Sequence, residues 1–104
     1  MTGRVRLTPE AEQQLDDLDD WLTRVASADV AQGFVTSLLD HMESIAVLPL
    51  AGRDRGDVRP GLRTSTFRAR TVVAYEVDPS AAGPVVVVLG VFHGGRDWQS
   101  ELGG

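Results

Sequence analysis

Apolar residues recur at spacings of three and four through the first half of the chain and alternate or run together through the second. The first pattern is helical and the second extended. Val5 and Leu7 alternate with Arg4 and Arg6, as in an edge strand. Thr8-Pro9-Glu10 then opens a helix: Thr8 is a good N-cap, Pro9 fits the first helical position, and Glu10 and Glu12 lie near the positive end of the helix dipole. Ala11, Leu15, Leu18, Leu22 and Val25 form one apolar stripe, with Gln13, Asp16, Asp17, Asp19 and Asp20 on a solvated face. A break at residues 27–29 supplies the next N-cap. Ala31, Phe34, Leu38, Met42 and Ile45 make a second stripe that ends before Pro49, so the spacing predicts a helical hairpin. His41 lies beside this stripe as a surface or packing residue.

Residues 49–61 turn to Gly, Pro, Arg and Asp and read as a connecting loop. Three strands follow at 62–67, 71–78 and 85–92, with turns at 68–70 and 79–84. Short connections favour antiparallel pairing, and the N-terminal segment can add a fourth strand at an edge. The predicted fold class is α+β: a helical hairpin packed across one face of a small three- to four-stranded antiparallel sheet, with a short helix or tail at 97–102. Tyr75, inside a strand, is expected to pack. No repeat or composition shift divides the chain, so residues 1–104 are expected to form one domain.

Composition narrows the chemistry. Among 104 residues there is no cysteine, and two histidines far apart in sequence make no metal site, so neither metal nor cofactor is expected. The N-terminus leads into no apolar leader and no segment is long enough to span a bilayer, so the expected location is the cytoplasm. The net charge of −5 hides an asymmetry. Residues 1–50 hold three arginines against nine carboxylates, whereas Arg53, Arg55, Arg59, Arg63, Arg68 and Arg70 face only Asp54 and Asp57. Such a cationic patch suits an acidic peptide or another carboxylate-bearing partner, or a phosphate backbone.

The run Val85 to Phe92 is followed at once by His93-Gly94-Gly95-Arg96-Asp97. A strand end is a rigid place from which to present a His, an Arg and an Asp, and the glycines let the backbone turn around them. Two readings stand: a functional cluster, or a strand end where His93 caps the sheet and Arg96 and Asp97 open a helix.

Strand, helical hairpin, Pro49 with Gly52-Arg53, then Arg59-Pro60-Gly61-Leu62-Arg63, Val72-Val73-Ala74-Tyr75 and the closing Val91-Phe92-His93-Gly94-Gly95-Arg96-Asp97 together resemble the RelE/ParE superfamily of type II toxins over nearly the whole chain. The resemblance implies a bacterial toxin that arrests growth and is neutralised by a cognate antitoxin in a hetero-oligomeric complex. RelE-like members are ribosome-dependent endoribonucleases, which would give catalytic work to Arg59, Arg63 and His93. ParE-like members poison DNA gyrase and lack that catalytic set. No tyrosine follows His93, and Gly90 stands where many relatives carry a basic residue. The ending looks more like the ParE side, so the expectation is a gyrase inhibitor of plasmid-stabilisation type, with ribosome-dependent mRNA cleavage as the alternative. Arg53, Arg59, Arg63, Arg70, His93, Arg96 and Asp97 are the candidate contacts to target or antitoxin.

Overall fold

The computed structural model describes residues 4–80, 83–95 and 97–103. β1 (Arg4–Leu7) feeds α1 (Pro9–Val25), and α2 (Ala28–Val47) returns beside it. Thr8 Oγ1 accepts from the Ala11 amide at 3.2 Å and Ser27 Oγ from the Val30 amide at 3.1 Å, each satisfying one of the amides that a helix start leaves unpaired. Beyond α2 come a single 3-10 turn (Pro49–Ala51), β2 (Arg53–Asp54), β3 (Arg63–Phe67), β4 (Thr71–Ser80), β5 (Gly83–His93) and α3 (Trp98–Gly103).

The sheet order is β1-β5-β4-β3-β2. The α+β class and the edge position of β1 stand as read, but the sheet has five strands and is mixed. β1 runs parallel to β5, from Arg4 opposite Val85 to Leu7 opposite Val88, because the hairpin, not a tight turn, carries the chain away from it. The fifth strand, β2, lies within the predicted loop. Two anchors lay it beside β3: Tyr75 Oη donates to the Pro49 carbonyl at 2.8 Å, and Arg63 Nη1 donates to the Leu50 and Gly52 carbonyls at 3.1 and 2.9 Å. Gly52 is required there, since a Cβ on it would fall 2.0 Å from Tyr75 Oη. The predicted turn at 79–84 is shorter than expected, with Pro79 opposite Pro84 and Ser80 opposite Gly83 in the ladder. Both prolines are tolerated because, among the described residues, β3 has already ended opposite Tyr75 and β1 pairing begins at Val85. Ala81 and Ala82 of that turn lie outside the described residues.

Two cores form, one on each face. Leu18, Leu38, Met42 and Ile45 of the helices bury Val73, Tyr75, Val86, Val88 and Val91. On the other face Leu62, Ala74 and Phe92 pack under Trp98, so the C-terminal segment is an anchored helix. One residue makes this possible in β5. Gly90 pairs with Ala74 and Val88 with Tyr75, leaving Leu89 as a β-bulge. The extra residue switches the alternation: Val86 and Val88 before it and Val91 after it all belong to the core under the helices, while Leu89 and Phe92 belong to the other. Past Leu7, the start of α1 serves the open side of β5. The Thr8 amide donates to Val88 O at 3.0 Å, and Gln14 Oε1 accepts from the Val91 amide at 2.7 Å.

The β3–β4 turn is strained, with Arg68 at φ 51° and Ala69 at φ 63°, values that cost a residue bearing a Cβ about 1 to 2 kcal/mol. Ala69→Gly is therefore expected to stabilise the fold by about 0.5 to 1 kcal/mol. At the bulge the sign reverses. A Cβ on Gly90 would lie 2.4 Å from Cζ of the buried Phe92, so Gly90→Ala should cost about 1 to 3 kcal/mol. Urea titrations of the two variants check both signs.

Candidate functional site

β5 ends on His93, and the cross-strand partner Thr71 is wholly buried. Thr71 Oγ1 and His93 Nδ1 are hydrogen-bonded at 2.8 Å, which fixes the imidazole plane and leaves Nε2 without a hydrogen-bond partner among the described residues. The ring stands 5.8 Å from Trp21 of α1 and 5.8 Å from Phe34 of α2. Gly94 and Gly95 then turn the chain at φ 77° and 82°, as their place after a buried strand suggested. The Gly94 amide donates to the Arg70 carbonyl at 2.9 Å, tying the β3–β4 turn to the end of β5.

Arg70, His93 and Gly94 thus come together, and with Gln14, Asp17, Leu18, Trp21 and Val91 they line a cleft of about 400 Å³. Burial, and secondarily the charge of Arg70, push the His93 pKa below its ordinary value. The ring is neutral at pH 7, able to donate or accept one proton at Nε2. An aromatic row continues from His93 through Phe34 to Phe67 at 5.4 Å and His41 at 5.3 Å. Arg68 covers Phe67 and Phe34, its guanidinium carbon 4.9 and 5.6 Å from the ring centres. His41 Nε2 is hydrogen-bonded to Ser65 Oγ at 2.8 Å, and burial lowers its pKa also.

The remaining candidates lie apart from this cleft. Arg59 Nε pairs with Glu76 at 3.2 Å and borders another cleft beside Thr8, Leu89 and Phe92. Arg63 is held by the carbonyls of the 3-10 turn. Arg53 is exposed on β2 and lines a third cleft of about 370 Å³ with Arg55, Thr64, Thr66 and Trp98. Arg55 is bidentate to Asp57 at 2.9 Å and stacks on Trp98 at 4.8 Å. Asp97 caps α3, accepting from the Ser100 amide and hydroxyl at 3.3 and 2.7 Å, and these bonds hold its carboxyl below the usual range. Arg96 lies outside the described residues. Trp21, 43% exposed, and Gln14 are cleft residues that periodicity missed; the one signal for Trp21 was a large aromatic ring set into an acidic helix face. Val47, Leu48 and Leu50 were also missed as an open apolar surface at the end of α2. No cluster of His, Asp or Glu among the described residues could hold a metal ion, and none of the described helices is long and apolar enough to cross a membrane.

The family model described as ParE toxin of type II toxin-antitoxin system, parDE, matches residues 5–98. Among solved structures, the chain is similar to one of the chromosomal ParDE toxin-antitoxin system from P. aeruginosa, with 18% identity and a TM-score of 0.73 over 89% of this chain and 97% of that one. It is also similar to one of the toxin-antitoxin complex RelBE2 from Mycobacterium tuberculosis, with 19% identity and a TM-score of 0.62 over 89% and 99%. At these identities the likeness is one of fold. No curated protein sequence matches the chain.

Neutral histidines give the fold a definite pH dependence. Both His41 and His93 have folded pKa values below the ordinary 6.5, so the unfolded chain binds protons first as pH falls. The stability they contribute is complete above about pH 6.5 and is lost on acidification toward their lowered values. The thermal midpoint should therefore drop between pH 7.5 and 5, and His41→Gln should flatten that limb. The lowered carboxyls of Asp57 and Asp97 act only in a separate window, below the ordinary 3.8. Melting curves across pH read the two windows apart.

Proposed function

The chain belongs to the ParE toxin family of type II toxin-antitoxin systems, and from that premise we propose that it arrests bacterial growth by poisoning DNA gyrase until a cognate antitoxin sequesters it. Residues 1–104 act in this reading as one toxin domain in the cytoplasm, where gyrase works, and the toxin-antitoxin pair serves plasmid stabilisation. The antitoxin forms a hetero-oligomer with the toxin, and the open apolar side chains Val47, Leu48 and Leu50 offer it surface.

The observation that carries the gyrase reading is the dispersal of the groups an mRNA endonuclease would use. Cleavage by a 2′-hydroxyl needs a titrating group to move its proton and a cation to meet the charge developing on phosphate, both within hydrogen-bond reach of the same atoms. Arg59 is engaged by Glu76 and Arg63 by two backbone carbonyls, away from His93. Tyr75 is buried with its hydroxyl committed to Pro49, and burial pushes its pKa up, so it is no substitute acid or base at neutral pH. A toxin acting by binding needs none of these to converge. One feature favours the second reading, a RelE-like ribosome-dependent endoribonuclease: Arg70 and neutral His93 share a cleft.

Purified toxin is expected to inhibit supercoiling by gyrase and to accumulate cleaved double-stranded DNA, while mRNA on programmed ribosomes stays intact. Codon-positioned mRNA cuts that disappear in His93→Ala, with gyrase unaffected, would establish the endoribonuclease instead.

A further inference from the structure

The cleft between α1 and the end of β5 combines three properties. Leu18 and Val91 give it an apolar floor, and the half-open Trp21 ring forms one side. Arg70 supplies a cation that has no carboxylate partner among the described residues. Its backbone is fixed by the Gly94 amide on one side and by the strained Arg68-Ala69 turn on the other. Strain of this kind persists where surrounding structure imposes it, often at sites that must hold a side chain in place. A partly exposed tryptophan beside an unpaired arginine is the composition of an interface anchor.

We propose that this cleft seats the toxin's protein target: an acidic side chain of the target forks onto Arg70, and an apolar neighbour of that side chain packs on Trp21, Leu18 and Val91. The proposal deepens the gyrase reading and rests on it. Charge selects the occupant. Asp17 borders the cleft, and Asp20 with Arg24 lines the next depression along α1, so a phosphate backbone, which brings several charges past these carboxylates, would meet more repulsion than a single carboxylate directed at Arg70. A small inorganic anion would leave Trp21 unused. Size selects the source. A space of about 400 Å³ takes one or two side chains from a folded surface. A long flexible antitoxin segment needs extended apolar surface, which the chain offers at Val47, Leu48 and Leu50.

Arg70→Gln and Trp21→Ala change side chains that make no hydrogen bond among the described residues, and melting curves verify that each variant is folded. Each is expected to raise the toxin concentration for half-inhibition of gyrase about tenfold while the antitoxin Kd stays within about threefold. Because the chain has no cysteine, Asp17→Cys can carry a photocrosslinker, and so can Leu48→Cys on the other apolar surface. The first should attach to a gyrase subunit and the second to the antitoxin. Loss of antitoxin affinity with gyrase inhibition retained would make the antitoxin the occupant. Crosslinking of Asp17→Cys to DNA would make it nucleic acid, and unchanged values in both assays would leave the cleft without a protein partner; each of these overturns the proposal. Wild-type toxin that leaves gyrase untouched would remove the gyrase reading itself, whereas wild-type inhibition undiminished in Arg70→Gln would remove the cleft alone.

Discussion

A single unpaired residue, Leu89, decides which side of the sheet everything after it faces. Strand side chains alternate with period two, so without the bulge Val91 and His93 would point toward α3 and Phe92 would be driven under the helices. Two features keep the bulge in place. Gln14 accepts the Val91 amide on the side where β1 has run out, and Gly90 leaves the room that the Phe92 ring occupies. Burial of Val91 in one core and Phe92 in the other then rewards the same register from both faces. The position of His93 against Trp21 and Phe34 follows from this packing, as does the cleft that His93 shares with Arg70.

Arginine in this chain is structural as often as it is free. The run from Arg53 to Arg70 reads as a cationic patch, yet Arg63 is spent on backbone carbonyls, Arg55 on Asp57 and Trp98, Arg59 on Glu76, and Arg68 on two phenylalanine rings. Guanidinium suits all four tasks, because its planar fork matches carbonyl and carboxylate oxygens and its face stacks on aromatic rings. The charge that remains available is concentrated at Arg53, on one edge of the sheet, and at Arg70, in the cleft.

Local pattern carried far into this fold, and its failures have a common cause. Helix starts at Thr8 and Ser27, both apolar stripes apart from Val25, which is exposed at the end of α1, the three long strands and the glycine turn after His93 each depend on neighbours a few residues away, so they were legible. The parallel pairing of β1 with β5, the two-residue β2 and the Leu89 bulge depend on contacts across the fold: Tyr75 to Pro49, Arg63 to Gly52, Gln14 to Val91. Tyr75 and Pro49 lie 26 residues apart and Gln14 and Val91 lie 77 apart, beyond any local window, and the Arg63 contact is to backbone carbonyls that carry no mark in the sequence. For the same reason the candidate site was half visible. His93 and Arg70 could be named from composition, but Trp21 and Gln14 join them only once α1 is laid along β5.

Gly90 links this packing to the choice of target. The RelE/ParE resemblance sets many relatives' basic residue at this position, and such a residue would supply phosphate-binding charge on the last strand. Here any Cβ would run into the Phe92 ring, which is wedged between Leu62, Ala74 and Trp98. An arginine at position 90 would therefore have to evict the centre of the second core, a change of several kilocalories rather than a surface substitution. The missing cation is a consequence of how this chain fills the space beneath α3. With the Phe92 ring in that space, position 90 of β5 has no room for a side-chain cation.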